Sequence, residues 1–355
     1  MKKTLIALAT LAATGAAFAQ SSVTLSGVMD FAAGNVKVGN QAAETTVSTR
    51  DLTSATSVIR ITAVEDLGGG LKATALYALD PRHLANDSAA GSAAAPGLQR
   101  DEAFIGLEGG FGNLRLGSAN SVGLTTFLTA SPLGTGIGSG YAALALDYSF
   151  IRHSRSIRYD SPAVNGFRVA VNYAPGATEV AGPVFGSINA IPQGSEVTEI
   201  GLSYAKGPLS VAFANVALGA RAAGSAGAVT AAAKSSTNIL AARYTMGATA
   251  ISAGWNDGES TTRAVTPTKT EGYRAAVSHT MGAVTLIGSY AEQKTPAITE
   301  KVAGLRADYA LSKRTTAYAG YEKAASGVAF TAATATAAAT GGNRTTMAVG
   351  VRHSF

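Results

Sequence analysis

A period of two residues, more than any single motif, limits what this chain can fold into. From Arg344 to Phe355 it reads RTTMAVGVRHSF. Met347, Val349, Val351 and Phe355 fall on one face of an extended strand, and Thr346, Ala348, Gly350, Arg352 and Ser354 fall on the other. Successive strand side chains point to opposite faces, so the segment has one apolar face and one small or polar face. An aromatic that completes the apolar face at the final residue suits a strand that must pair with the first strand of a closed membrane barrel.

The alternation recurs. Ser22 to Phe31 sets Val23, Leu25, Met29 and Phe31 against Ser22, Thr24, Ser26 and Asp30. Hairpins are then expected from 57–64 with 71–80, 100–109 with 113–118, 154–160 with 167–174, and 196–205 with 208–216. The series continues through 237–245 with 248–256, 272–279 with 283–292, and 302–310 with 314–322, before the strand at 344–355. Their turns are short and carry Gly, Asn or Asp, which makes sixteen strands. The other connections, 35–56, 81–99, 119–153, 175–195, 217–236, 257–271, 293–301 and 323–343, are long. Short turns on one rim and long loops on the other are the arrangement of an outer-membrane barrel. A β-sandwich or jelly roll also alternates, but Arg and Asp in mid-strand on the non-apolar faces suit a wet lumen better than a shared core.

Compartment and composition agree with a barrel. Met1-Lys2-Lys3, the apolar stretch Thr4 to Ala16 and Ala17-Phe18-Ala19 form a secretory signal peptide over 1–19. Removal of Lys2 and Lys3 lowers the formal charge from +6 to +4, and without a Lys/Arg run nothing suggests nucleic-acid binding. The absence of cysteine excludes disulfides, thiolate metal sites and cysteine nucleophiles. Mean hydropathy is +0.18 and only 14% of residues are charged. No apolar run after the leader approaches the ~20 residues of a spanning helix. One domain, an all-β transmembrane barrel over 20–355, satisfies these constraints together.

Specific segments then point to a family. Val64-Glu65-Asp66-Leu67-Gly68-Gly69-Gly70-Leu71-Lys72-Ala73, Ala103-Phe104-Ile105-Gly106-Leu107 and Phe111-Gly112-Asn113-Leu114-Arg115-Leu116-Gly117 are three. Ser156-Ile157-Arg158-Tyr159-Asp160-Ser161-Pro162, Asp308-Tyr309-Ala310-Leu311-Ser312-Lys313-Arg314-Thr315 and Val349-Gly350-Val351-Arg352-His353-Ser354-Phe355 complete the set. In this order the chain resembles the Gram-negative general-diffusion porins, in particular the Neisseria/Burkholderia type. The resemblance implies a sixteen-stranded antiparallel transmembrane β-barrel, a homotrimer in outer-membrane lipid, whose third long loop (119–153) folds inward to narrow the pore. It also implies that the barrel assembly machinery reads the C-terminal strand ending in Phe355.

Alternation assigns the charges. With Ile59, Ile61, Leu71, Ala73 and Tyr77 facing lipid, Arg60 and Lys72 face inward. By the same phase Arg100, Arg115, Arg158 and Arg168 line the lumen, as do Arg274, Arg306 and Asp308. A charge on the lipid face near the midplane costs about 2–4 kcal/mol, which favours the inward phase. Basic rings select anions. Arg100 and Arg158 match arginines that the resemblance sets on the wall opposite the loop. A third such position falls on Val58, with Arg60 one inward step away. The loop itself reads Ser131-Pro132-Leu133-Gly134 where the family often has an acidic motif, and Asp147 is its one carboxylate. A basic wall and anion preference are expected. The alternative is that Glu102, Asp160 and Asp308 neutralise the arginines.

Other signals carry less. The alternate glycines Gly134 to Gly140 lack the strand, helix and Lys-Ser/Thr of a phosphate loop. His83, His153, His279 and His353 lack metal-site spacing, and no cofactor is expected. No Ser-centred constellation marks an enzyme. The reading is a water-filled channel passing small hydrophilic solutes and anions. The competing readings are a substrate-specific porin for organic acids or sugars, and a non-conducting structural or adhesin barrel.

Overall fold

The computed structural model describes residues 21–39, 44–48, 57–80, 99–134, 136–139, 152–153, 155–175, 196–219, 234–260, 268–296, 299–326 and 342–355. The strands in chain order are β1 (Ser22–Val38), β2 (Glu44–Ser48), β3 (Val58–Gly68), β4 (Leu71–Asp80), β5 (Gln99–Gly109) and β6 (Gly112–Ser118). They continue as β7 (Ser156–Asp160), β8 (Phe167–Ala174), β9 (Val197–Lys206), β10 (Leu209–Leu218), β11 (Ser235–Met246) and β12 (Thr249–Ser260). The last five are β13 (Thr268–Met281), β14 (Val284–Lys294), β15 (Thr299–Ala310), β16 (Thr315–Ser326) and β17 (Gly342–Ser354). Between β6 and β7 lies a helix, α1 (Val122–Thr129).

All pairings are antiparallel, and the sheet closes because β17 runs along β1 from Val28↔Ser354 to Val38↔Arg344. The other edge of β1 is shared. Its first half pairs with β3 from Ser22↔Val64 to Val28↔Val58, and its second half pairs with β2 from Ala32↔Ser48 to Val36↔Glu44. Two pieces therefore make one wall position, and the barrel has sixteen strands. The chain end completes the seam. Gly27 and Phe355 exchange backbone hydrogen bonds of 3.1 Å each way. The Phe355 ring covers Gly27, where a Cβ would stand 2.6 Å from Cζ. Closure leaves no unpaired edge.

The strand from Ser22 runs to Val38 rather than ending at Phe31. Ala32 to Val38 carries little alternation, but β2 and β17 supply hydrogen-bond partners on both sides, and pairing decides the extent. The rim with short turns follows expectation. Gly207 and Gly247 take φ of +59° and +57° in two-residue turns, a conformation glycine enters without steric cost. The signal peptide expected at 1–19 lies outside the described residues.

Two faces result. Leu25, Ile105, Leu305 and Val349 are all at least 60% exposed, which for large apolar side chains marks the surface presented to lipid. Phe167 and Tyr204 lie with ring centroids 4.7 Å apart and tilted by 50° beside the short-turn rim, while Trp255 and Tyr273 are cross-strand partners toward the long-loop rim, so aromatic side chains stand at both levels. The opposite phase faces inward and is not uniformly polar. Ala214, Val216, Leu218, Ile239 and Val302 are buried there, against the expectation of a wet inner wall, because the third long loop covers them.

Candidate pore constriction

The loop enters the barrel as a capped helix. Ser121, in extended conformation, accepts a hydrogen bond from the Leu124 N–H at 2.9 Å through its Oγ and so caps the N-terminus of α1. Val122 packs against Ala170 and Ala214, and Leu124 and Phe127 against Ala174, Val197, Val216 and Ile239. These wall residues come from β8 to β11, so the helix lies on their inner face. Gly201 sits beneath it, because a Cβ there would strike Val122.

Two buried carboxylates of the wall hold the loop. Glu199 accepts from the N–H groups of Val122 (2.9 Å) and Gly123 (3.3 Å), where the helix N-terminus favours a negative charge. It also accepts from Asn172 Nδ2 at 2.9 Å, and buried His153, at the far end of the same loop, stands 3.3 Å away. At the tip, Gly138 N–H donates to Glu322 at 3.1 Å, and Arg344 donates to the other oxygen of Glu322 at 2.9 Å.

Between these anchors runs a shelf. Ser252, Ala276, Ser289, Gly304 and Glu322 are successive cross-strand partners from β12 to β16, all inward. Ser252 Oγ donates to the Ala130 carbonyl at 3.0 Å, and Ser289 Oγ donates to the Gly138 carbonyl. Gly304 admits the Gly138 backbone, and Gly320 leaves room for Ile137, which is fully buried with Ala32, Tyr318 and Ala348. Arg274 lies over the Phe127 ring at 3.5 Å, a cation–π contact. Gly304→Val should therefore push the tip off the shelf. Protease cleavage within 119–153 in otherwise intact barrels is the expected sign, and resistance equal to the parent would show that the shelf does not hold the tip.

With β8 to β16 covered, β3 to β7 form the facing wall. Arg115 and Arg158 are cross-strand partners there and share one carboxylate, Asp160. Arg158 is buried and forked on Asp160 at 2.9 and 2.7 Å, and its third donor reaches the Asn120 carbonyl at the start of the loop. Arg115 stands 3.4 Å from Asp160 and lies 5.3 Å from the Phe104 ring centroid. Two guanidinium groups against one carboxylate leave one net positive charge. Arg60, half-buried between Ser26 and Ala78, has no ion pair among the described residues.

Lys72 and Arg168 lie away from this group. Lys72 is exposed at the short-turn rim between Asp66 and Glu108, and Arg168 is exposed beside Ser203 at the start of β8. Arg100 enters β5 in register with Leu79, but its side chain, like Asp147, lies outside the described residues. Ser131 to Gly134 form a half-exposed turn between α1 and the tip, closed by Ser131 Oγ donating to the Gly134 carbonyl at 2.6 Å. Glu102 accepts from Asn120 N–H at 2.8 Å, and Arg306 pairs with Asp308 at 2.6 Å, so both carboxylates have structural partners.

The family model for Gram-negative porins matches residues 4–327. The chain belongs to that family. Outer membrane porin protein 32 of Delftia acidovorans is 34% identical over 221 residues, which cover 58% of this chain and 60% of that protein. An outer membrane porin protein of Bordetella pertussis is 28% identical over 230 residues, 60% of this chain and 58% of that one. The chain thus spans about 60% of the length of these relatives. Among solved structures, the anion-selective porin from Comamonas acidovorans superposes with a TM-score of 0.75 at 25% identity, covering 95% of this chain and all (100%) of that one. A trimer form of OmpT from Vibrio cholerae shares the fold with a TM-score of 0.60 at 14% identity, over 94% of this chain and 99% of that one. This porin, like its relatives, is an outer-membrane protein.

Sequence reasoning missed the anchors of this porin's loop, Glu199 and Glu322, and its glycine seats. Their signal was present but faint. Gly201, Gly304 and Gly320 sit in the inward phase, where a lumen wall would carry polar side chains, and an absent side chain there marks a surface on which another backbone rests.

Proposed function

We propose that the chain forms a water-filled channel through the outer membrane for passive diffusion of small hydrophilic solutes, with anions preferred. One observation carries the reading: among the described residues the wall facing the inward loop holds Arg60, Arg115 and Arg158 against two buried carboxylates, Asp160 and Glu102, which leaves one net positive charge. A net positive field across a narrow, partly desolvated passage attracts anions and repels cations. The anion selectivity named for the Comamonas structure supports the same sign. Arg60 and Arg115 carry the field in this reading, Arg158 ties the loop to the wall, and Lys72 and Arg168 contribute at greater distance. Ser131 to Gly134 form the opposing lip. Reversal potentials of the refolded protein in a KCl gradient test it, and a cation-selective sign would overturn it.

Export with cleavage after Ala19, homotrimer formation and delivery by the barrel assembly machinery belong to the same proposal. The Phe355 ring over Gly27 supports a role for the final residue in sealing the seam. Phe355→Ala should slow barrel formation, read as a smaller heat-modifiable band on gels at early times. A parent-like rate would remove Phe355 from that role.

A further inference from the structure

The period of two that sends apolar side chains to lipid also sorts the aromatics. Among those on the described strands, only Phe104 and Tyr318 fall in the inward phase. Tyr318 is 4% exposed, packed on Ile137 of the loop tip with its hydroxyl on Asp30. Phe104 is different. It stays half-buried on β5, on the wall that the loop leaves uncovered.

The register sets particular neighbours around that ring. Leu76, also half-buried and inward, is the direct cross-strand partner of Phe104. Arg60, opposite Ala78, is the diagonal neighbour of Leu76, and Arg115, opposite Gly106, is the diagonal neighbour of Phe104. Diagonal partners on one face stand about 7–8 Å apart, within reach of long side chains. Gly106 puts nothing between Arg115 and the ring, since a Cβ there would stand 3.4 Å from Arg115 Cγ. The guanidinium carbon comes to 5.3 Å from the ring centroid. An apolar step of two side chains thus lies in the lumen wall with a guanidinium at each end. Arg115 shares Asp160 with Arg158, whereas Arg60 has no ion pair among the described residues. Glu102, the next inward residue of β5, is buried and accepts from Asn120 N–H. Thr62 and Thr74, at the flanking inward positions, carry no charge.

We propose that this step binds aromatic carboxylates on their way through the channel, with the carboxylate on Arg60 and the ring over Leu76 and Phe104. The site belongs to the anion-preferring channel described above and rests on that reading. A ring fixed in the wall of a wet pore keeps an apolar face in water. A flat solute that covers it removes that surface from solvent. Guanidinium offers a carboxylate two parallel hydrogen bonds, so charge and face are recognised together. Arg115 stands at the far end, where a guanidinium favours the face of an aromatic ring. Chloride and acetate find the charge but have no face to lay on the step. A neutral sugar would leave Arg60 without a counter-charge.

Block of single-channel current in KCl by added benzoate, with acetate as the charge-matched control, tests it. In the refolded parent, benzoate should reduce the current at concentrations at which acetate does not. Phe104→Ala should raise the half-blocking benzoate concentration about fivefold, for the loss of one aromatic contact. Arg60→Gln should raise it about tenfold, for the loss of a charged hydrogen bond. Phe104→Leu, which keeps an apolar residue without the ring, should fall between parent and alanine. Heat-modifiable mobility reports that each barrel is folded. Equal block by benzoate and acetate, in a channel with an anion-selective reversal potential, would overturn the proposal and leave the channel reading intact. So would a Phe104→Ala channel that benzoate blocks as it blocks the parent. If Phe104→Ala moves the KCl reversal potential as far as Arg60→Gln does, the ring serves only to position Arg115, and the proposal is again overturned. A cation-selective sign in the parent would overturn the channel reading, and the proposal with it.

Discussion

Glu322→Ala is expected to free the tip of the inward loop and to raise and destabilise single-channel conductance. Glu322 is 1% exposed and holds Gly138 N–H with one oxygen and Arg344 with the other. A hydrogen bond to a charged group contributes about 1.5–3 kcal/mol, and this is what ties the Gly138 N–H of the tip to Glu322. Arg344 stays on the wall whether or not the tip is docked. Roughly 1.4 kcal/mol is a factor of ten, so the released population should grow about ten- to a hundredfold. Glu322→Gln keeps one carbonyl acceptor and should fall between parent and alanine. Conductance histograms in planar bilayers read the effect, with heat-modifiable mobility reporting the barrel itself. A quiet, parent-like channel from Glu322→Ala would mean that Ser289 and the Ile137 seat suffice to hold the tip.

Arg60→Glu is expected to collapse or invert the ion preference while leaving the fold intact. Arg60 has no ion pair among the described residues, so its loss orphans no partner. The substitution changes the local charge by two. At an effective dielectric near 20 and about 10 Å, with partial salt screening, each unit charge is worth about 1 kcal/mol to a passing ion. A chloride ion should therefore meet a barrier higher by about 2 kcal/mol, and potassium one lower by a similar amount. The reversal potential in a KCl gradient should move toward the potassium equilibrium value. Arg158→Ala makes the contrast. It releases Asn120 and leaves Asp160 to Arg115 alone, so it should cost thermal stability and shift selectivity less than Arg60→Glu does. If Arg60→Glu leaves the reversal potential unmoved, the field in the constriction does not come from this wall.

The opposite outcomes expected for Glu322 and Arg60 follow from which neighbours each residue was given, and that divides what could be read in advance. Wall, seam and lipid face were legible because a strand's period of two is local. Leu305 must face lipid if Arg306 does not, wherever the rest of the chain lies. Phe355 could be assigned to the seam because a closed sheet requires a partner for its last strand. Where alternation faded, as from Ala32 to Val38 and along the apolar run Val211 to Leu218, the cause was a contact from far away in sequence: two pairing strands in the first case, helix α1 in the second.

By itself, the sequence determined a closed barrel of sixteen strands, its outer surface and the phase that Arg60, Arg115 and Arg158 share, since each depends on residues one or two apart. Only the tertiary structure decided which of those charges act. Asp160 lies two residues from Arg158 but reaches Arg115 across a strand pair, and Glu322 meets Gly138 from 184 positions away. No local pattern encodes those encounters, because they arise only when the wall has closed and the loop has come to rest on it.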